Sequence, residues 1–284
     1  MSEKKIIAGL YVNSFLYALA VFVIFKQIPF YAVYAKEMNL AAISIYTWIP
    51  GVFALYFAKK EKIQLHIFSK CRKPFLFAVF VPFVIAALGV LLTCPFAQFS
   101  LSYVIEAASN YSLSFPSKFF NISLFILALY FLSIVSCVSL NFFLYLGQEL
   151  FWRGYLLEKL SYMSFKKRNI VSGCLFGLWL APMVVFFDYN YFAQKFWGFA
   201  LMMGFSLVVT PILSYLRSKE NSVMSSTIFY SMIVTFCPID VAFFPEGNPL
   251  FVAPVGLGGL LALACIAAPI FYSRKERDYK AARV

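Results

Sequence analysis

Long apolar segments separated by short polar connections are the feature that most constrains this chain. A transmembrane helix needs about 20 mostly apolar residues, because the hydrocarbon core of a bilayer is about 30 Å thick. Eight segments meet or approach this requirement, at residues 6–25, 39–58, 75–94, 120–147, 170–187, 196–216, 222–236 and 250–272. The pattern predicts an all-α, polytopic membrane protein with about eight transmembrane helices. The first segment has no cleavage site of small residues after it, so we interpret it as a retained span.

Composition excludes most other classes of protein. The 284-residue chain is 62% hydrophobic and 13% charged, whereas soluble domains average about 45–50% and about 25%. A soluble enzyme, a disordered chain, a coiled coil and a secreted disulfide scaffold are therefore excluded. The sequence has a single histidine, His66, and six cysteines without CxxC spacing. Because zinc sites need several such ligands close together, we expect neither a metal site nor a cofactor.

The distribution of Lys and Arg predicts the orientation in the membrane. If the N-terminus is cytoplasmic, 20 of the 24 Lys and Arg residues fall in cytoplasmic segments, and the asymmetry alternates at every connection. Cytoplasmic connections are enriched in these residues, so both termini are predicted to be cytoplasmic. This topology accounts for the net charge of +12, and nucleic acid is not an expected partner.

Residues 59–73 interleave basic and apolar side chains, which we interpret as an interfacial helix against anionic lipid.

One cluster of ionisable residues lies at membrane depth, where such residues are costly and are functional candidates. It is the segment GQELFWRGYLL at residues 147–157, at the cytoplasmic end of the fourth span. Glu149 and Arg153 are four residues apart, so they share a helix face and can form an ion pair. Without further context, the simplest interpretation is a snorkelling arginine at a helix end with a local ion pair.

The same segment resembles the GEExxWRGYLL motif of the CAAX protease and bacteriocin-processing (CPBP, or Abi) family. Members of that family are intramembrane, glutamate-dependent endopeptidases. Two later segments resemble the second and third family motifs, FxxxH and SVxxxxxxHxxxN, in order and spacing. These are FGLWLAP at 176–182, and Ser222 and Val223 followed by Tyr230 and Val234. The resemblance covers roughly residues 120–236 and implies the CPBP-type helix bundle there. Residues 1–119 then form N-terminal spans and interfacial segments, and residues 237–284 form the last span and a basic cytoplasmic tail.

The chain departs from the family motifs at the positions that carry the catalytic groups. In the family, the first Glu and the second-motif His activate water, and the third-motif His and Asn are thought to stabilise the oxyanion. The corresponding residues of this chain are Gln148, Leu180, Tyr230 and Val234. Glu149, Arg153 and Phe176 are kept, but no catalytic residue is intact, because an amide is not basic and Leu and Val offer no hydrogen bond. The resemblance implies that Gln148, Leu180 and Tyr230 converge around one cavity, open toward the cytoplasm or the inner leaflet.

These observations leave three hypotheses for the function. The first is a non-catalytic CPBP-family protein, a pseudoprotease that binds a membrane-protein segment, a lipid or a partner such as a lipidated peptide. The second is an active endopeptidase in which Glu149 serves a rearranged site. The third is a small transporter, although the sequence pattern does not predict the paired broken spans of secondary transporters. In each case we expect an integral, multi-pass protein of a bacterial or archaeal cell membrane, in contact with the lipid bilayer.

Overall fold

The computed structural model describes residues 3–110, 118–190, 194–252 and 254–273, and this part of the chain is helical, without strands. A π-helical turn (Leu150–Tyr155) joins α7 to α8, and a 3₁₀ turn (Cys237–Ile239) precedes α12. The helices are α1 (Glu3–Gln27), α2 (Tyr31–Tyr46), α3 (Ile49–Glu61), α4 (Arg72–Thr93), α5 (Ser102–Asn110), α6 (Lys118–Val138), α7 (Leu140–Glu149), α8 (Leu156–Lys159), α9 (Phe165–Phe186), α10 (Lys195–Glu220), α11 (Met224–Thr235), α12 (Asp240–Phe243) and α13 (Leu257–Ser273).

The predicted spans coincide with the long apolar helices. Within the described residues, seven helical runs are long and apolar enough to cross a membrane, and α13 is a shorter apolar helix in the position of the eighth span. The prediction of an all-α, polytopic membrane protein is confirmed. The seven runs are Glu3–Gln27, Tyr31–Glu61, Arg72–Thr93, Phe120–Val138, Phe165–Phe186, Lys195–Glu220 and Met224–Phe243.

Two of the predicted spans are broken rather than continuous. The second is divided at Thr47 and Trp48, just before Pro50, which lies in the first turn of α3. The fourth is not the single long helix that its hydropathy predicts, because it is interrupted at Ser139, where φ is −119° and ψ is −103°. The Ser139 hydroxyl donates a hydrogen bond to the Val135 carbonyl at 2.6 Å, so the side chain takes up a helix acceptor next to the break.

The segment after α3 is not the interfacial helix that its composition suggested. Helix α3 ends at Glu61 and is followed by the C-cap residue Lys62, which has a left-handed conformation (φ 56°). The amide of the next residue, Ile63, donates a hydrogen bond to the Ala58 carbonyl. Residues 63–71 form neither a helix nor a strand. Ile63, Leu65 and Ile67 are half-buried, and the residues between them are exposed. This alternation has the period of two that an extended chain requires, and the helix prediction overlooked it.

The connections predicted to be cytoplasmic contact one another at one end of the bundle, here called the basic end. The Tyr155 hydroxyl and the Lys159 ammonium bind the Glu61 carboxylate at 2.9 and 3.1 Å. Burial, together with this hydrogen bond, raises the pKa of Tyr155 above its usual value, so the hydroxyl remains a donor. Lys166 lies 5.4 Å from the Tyr272 ring centroid near the end of α13. Segments that are distant in sequence therefore share this end.

The remaining connections meet at the opposite end of the bundle. The Ser100 amide donates to the Phe243 carbonyl at 2.9 Å, and the Phe96 ring stacks on Phe251 at 5.5 Å between centroids. The connection between α4 and α6 is rich in apolar residues, such as Phe96, Phe99 and Leu101. Its described part packs on the end of the α11–α12 region, which explains its apolar composition.

We predict that the basic end faces the cytoplasm and that both termini lie on that side. The reason is the distribution of Lys and Arg, which follows the positive-inside tendency. A C-terminal green fluorescent protein fusion should fluoresce, and a C-terminal alkaline phosphatase fusion should be inactive. The same two reporters fused after Gln98, at the opposite end, should give the reverse result. Active phosphatase at the C-terminus would contradict both the number of spans and the orientation.

Candidate functional site

Two glycines fix the end of α7, which carries the first site residues. A Cβ placed on Gly51 of α3 would lie 2.7 Å from the Gly147 Cα, and one placed on Gly147 would lie 2.9 Å from the Trp48 Cα. Side-chain carbons do not tolerate such distances, so the two helices can approach this closely only where glycine removes the Cβ. The close contact positions Gln148 and Glu149, the last two residues of α7, inside the bundle.

A π-helical turn continues directly from these residues. It spans Leu150–Tyr155 and carries Arg153. All residues from 146 to 157 are buried, so this stretch has no exposed face of the kind a peripheral helix shows. Single π turns are frequent at functional sites. Arg153 does not snorkel to the interface, because it is 1% exposed.

The predicted pairing of Glu149 with Arg153 is confirmed. Arg153 Nη1 lies 3.0 Å from Glu149 Oε1, and both side chains are 0% exposed. Arg153 Nη2 donates to the Thr210 hydroxyl at 3.1 Å, and the guanidinium lies 4.6 Å from the Phe176 ring centroid. The charge is thus compensated by a carboxylate, a hydroxyl and an aromatic face. This network links α7, the π turn, α9 and α10.

Tyr230 on α11 closes the site from the other side. Its ring centroid lies 5.9 Å from Phe176 and 5.4 Å from Tyr145, and its hydroxyl lies beside the Gln148 amide. Edge-to-face aromatic contacts of this geometry are favourable. The structure therefore brings together five of the positions that the sequence suggested, which are Gln148, Glu149, Arg153, Phe176 and Tyr230.

The other two positions lie one helical turn beyond this group. Leu180 is four residues after Phe176 on α9 and is 1% exposed. Val234 is four residues after Tyr230 on α11 and is half-buried. Residues four apart lie on the same helix face, so both continue the faces that carry their neighbours. Neither side chain can donate or accept a hydrogen bond.

The cavity next to the site does not lie where the resemblance suggested. It has a volume of about 240 Å³ and is lined by Tyr230 and Val234, and Gln148 and Leu180 are not among its lining residues. Its remaining walls include Tyr189 and residues of the connection after α11, which belong to the opposite end. This cavity is therefore not the predicted one, which would be lined by Gln148 and Leu180 as well. The physical reason is that the Tyr230 ring and its aromatic neighbours fill the space beside Gln148.

Thr210 is a site residue that sequence reasoning missed. It accepts a hydrogen bond from Arg153 and donates one to the Ser206 carbonyl at 2.6 Å. A threonine followed by Pro211 in the middle of an apolar span was the available signal, because polar residues at membrane depth tend to have partners. The spacing of the family motifs does not include this helix, so the motifs could not identify it.

Several buried polar atoms around the ion pair have no hydrogen-bond partner within the described part of the chain. They are Gln148 Nε2, Glu149 Oε2, Arg153 Nε and Ser206 Oγ. Ser226 lies near the Glu149 carboxylate, but its hydroxyl donates to the Val223 carbonyl at 3.0 Å. The site thus has free donors and acceptors for a polar group brought next to it. Over the same residues, no group of three His, Cys, Asp or Glu side chains is close enough to hold a metal ion.

Residues 122–236 match the family model described as type II CAAX prenyl endopeptidase Rce1-like. The matched segment is somewhat less than half of the chain, and it contains α7, the π turn, α9, α10 and α11. The resemblance proposed from the three motifs is therefore confirmed at the level of the family. No curated protein matches the chain. The chain is an integral membrane protein that carries an Rce1-like domain at residues 122–236.

Proposed function

We propose that the Rce1-like domain of this protein is non-catalytic and binds a segment of a membrane-embedded partner. One observation carries the proposal. The residue at the position of the family base is the buried amide Gln148, while the adjacent carboxylate, Glu149, is held by Arg153 at 3.0 Å. Peptide hydrolysis requires a group that can take a proton from water, and a primary amide cannot do so near neutral pH.

The other chemical requirements of hydrolysis also lack their usual groups. Leu180, at the position of the second-motif histidine, offers no nitrogen to a water molecule. Val234, at the position of the third-motif asparagine, offers no donor to an oxyanion. Tyr230 has one hydroxyl, but this group lies beside Gln148. Oxyanion donors act only when they are aimed at the developing charge, so Tyr230 does not compensate for the loss.

The cavity supports binding better than cleavage. Its volume of about 240 Å³ exceeds that of an engineered cavity of about 150 Å³ that binds benzene. It falls below the 300–1,000 Å³ typical of sites for larger ligands. A space of this size accommodates one apolar side chain of a partner rather than a peptide bond with its flanking residues. Met202, Phe205 and Ile233 give it an apolar lining.

An active endopeptidase with a rearranged site is the second candidate, and a specific observation favours it. Glu149 Oε2 has no hydrogen-bond partner among the described residues, so one carboxylate oxygen is free to accept a proton. Against this, the whole side chain is 0% exposed and its other oxygen is bound to Arg153. A base in this position would need water to enter the aromatic cluster.

We predict that the purified protein, reconstituted in lipid nanodiscs, does not cleave internally quenched CAAX peptides, whether farnesylated or unmodified. Fluorescence release should equal that of empty nanodiscs and of the Glu149→Gln variant, which removes the remaining carboxylate with little change in shape. An active CPBP-family endopeptidase assayed in parallel establishes that the substrates are competent. Cleavage by the native protein that disappears in Glu149→Gln would overturn the proposal in favour of the rearranged glutamate site.

A further inference from the structure

The segment that joins α3 to α4, together with the adjoining ends of both helices, has a charged face at the basic end that no other part of the described chain neutralises. We define the basic strap as residues 59–73. Its six cationic residues are all exposed, and within the described residues none of them pairs with a carboxylate. They are Lys59, Lys60, Lys62, Lys70, Arg72 and Lys73. The strap contains one acidic residue, Glu61, and this carboxylate is bound by Lys159 and Tyr155.

The strap also carries an exposed aromatic side chain among these charges. Phe68 is 70% exposed, and one face of its ring stacks on Phe142 of α7 at 5.9 Å between centroids. Lys62 and Lys70, on the same segment, are exposed as well. Aromatic and basic side chains in such proximity are typical of the boundary between headgroups and acyl chains. A soluble acidic partner would leave the exposed Phe68 ring unexplained.

The opposite side of the strap contacts two of the segments that build the candidate site. The Leu65 side chain lies 3.1 Å from where a Cβ of Gly154 would be, next to Arg153. The His66 carbonyl accepts a hydrogen bond from the Val223 amide at 3.0 Å. Val223 directly precedes α11, the helix that carries Tyr230. The strap thus joins the π turn to the start of α11.

We propose that the basic strap is a binding surface for anionic phospholipid headgroups, and that bound lipid stabilises the contacts of the strap with Gly154 and Val223. The ammonium and guanidinium groups would bind lipid phosphates, and Phe68 would insert beside the acyl chains. Lipid bound on the exposed face limits the motion of the strap, and the hydrogen bond from Val223 then opens less often. This inference does not depend on whether the Rce1-like domain is catalytic.

The first test compares matched variants at the two ends of the bundle. Native mass spectrometry of the full-length protein, released from detergent with added phosphatidylglycerol or phosphatidylcholine, measures lipid retention. We expect the native protein to retain phosphatidylglycerol about tenfold more than phosphatidylcholine, and Lys62→Gln/Lys70→Gln to lose most of this preference. Lys26→Gln/Lys36→Gln, which removes two exposed charges at the opposite end, should retain it. Sodium chloride at about 0.5 M should weaken the retention, because the sites are exposed and screened.

A second readout tests the link to the site. Hydrogen exchange of the Val223 amide in nanodiscs should be several-fold slower with anionic phosphatidylglycerol mixed into the bilayer than with phosphatidylcholine alone. This difference should vanish in Lys62→Gln/Lys70→Gln.

Equal retention of the two lipids by the native protein, or an equal loss of the preference in the two double variants, would overturn the lipid site. Phosphatidylglycerol retention without any change in Val223 exchange would overturn the proposed link between the lipid and the site. Slower exchange with inorganic phosphate in place of lipid would overturn the requirement for a bilayer and show a site for phosphate alone.

Discussion

Arg153→Ala should lower the stability of this protein more than other single truncations around the site. The substitution leaves Glu149 without its counter-charge in a position that is 0% exposed. Removing one partner of a buried ion pair costs about 3–5 kcal/mol, because the other charge stays uncompensated in a low-dielectric environment. Thr210 loses the donor at 3.1 Å, and Phe176 loses the cation above its ring. We expect the melting temperature in detergent to fall by about 10 °C.

A double variant distinguishes the stranded charge from a loss of packing. Glu149→Leu/Arg153→Met replaces both charged side chains with apolar ones of similar volume, and such replacements are often neutral or stabilising. It should recover most of the stability that Arg153→Ala loses. A conservative control, Arg153→Lys, keeps the charge but not the two-pronged geometry, so its effect should be intermediate. An unchanged melting temperature in Arg153→Ala would mean that the pair is hydrated and has no structural role.

The fold was predictable from sequence to the extent that it depends on hydrophobic length. A span needs its backbone groups satisfied within one helix, so runs of about 20 apolar residues identify helices even without knowledge of their neighbours. The interruption at Ser139 was not predictable in this way, because no proline or glycine marks it. The division before Pro50 did have a signal, since the residue preceding a proline is disfavoured in a helix. Hydropathy alone does not register either break.

The basic strap shows where composition is misleading. Basic residues mixed with Ile63, Leu65 and Ile67 suggest an amphipathic helix, but apolar residues at every second position cannot form one helical face. The period was visible in the sequence. What the sequence could not supply was the partner, because Val223 is distant along the chain and its hydrogen bond to His66 arises only in the folded bundle.

For the candidate site too, some features could be predicted from the local sequence and others depend on long-range packing. The ion pair follows from a spacing of four residues, and the motif positions follow from the family resemblance. The contacts of Arg153 with Thr210 and of Tyr230 with Tyr145 depend on how α7, α10 and α11 pack. The position of the cavity depends on the bulk of Tyr230, which occupies the place of a smaller histidine. A motif comparison registers this substitution as a missing oxyanion-stabilising group, whereas the packing of the Tyr230 ring against Tyr145 and Phe176 shows that it also fills space.

If the proposed loss of catalysis is due to the missing groups, restoring the family residues should give this protein a peptidase activity. The variant carries Gln148→Glu, Leu180→His, Tyr230→His and Val234→Asn in one chain. Each new side chain is similar in volume to the one it replaces, except that His is smaller than Tyr and opens space beside residue 148. Substitutions that preserve volume are tolerated best in a packed interior. The buried atoms without a hydrogen-bond partner among the described residues include Gln148 Nε2 and Glu149 Oε2, at and next to the first substituted position.

We expect the fourfold variant to cleave a farnesylated CAAX peptide at least about 100-fold above the native background, since a positioned base contributes about 10²–10⁴. An oxyanion donor contributes a further factor of about 10²–10³. A threefold variant that keeps Gln148 and carries the other three substitutions should be inactive, because it lacks the base. Adding Glu149→Gln to the fourfold variant should spare the chemistry and act on stability, because Glu149 pairs with Arg153 at 3.0 Å.

A fourfold variant that is folded by its melting transition but inactive would show that missing groups are not the sole obstacle. The aromatic rings beside the site, those of Tyr145 and Phe176, lie within 6 Å of the ring of Tyr230 in the native protein. They would then be the barrier to the peptide, because a substrate backbone needs space that a packed cluster does not leave. Tyr145→Ala in the fourfold variant removes one of these rings without touching the ion pair, and it should then release the activity.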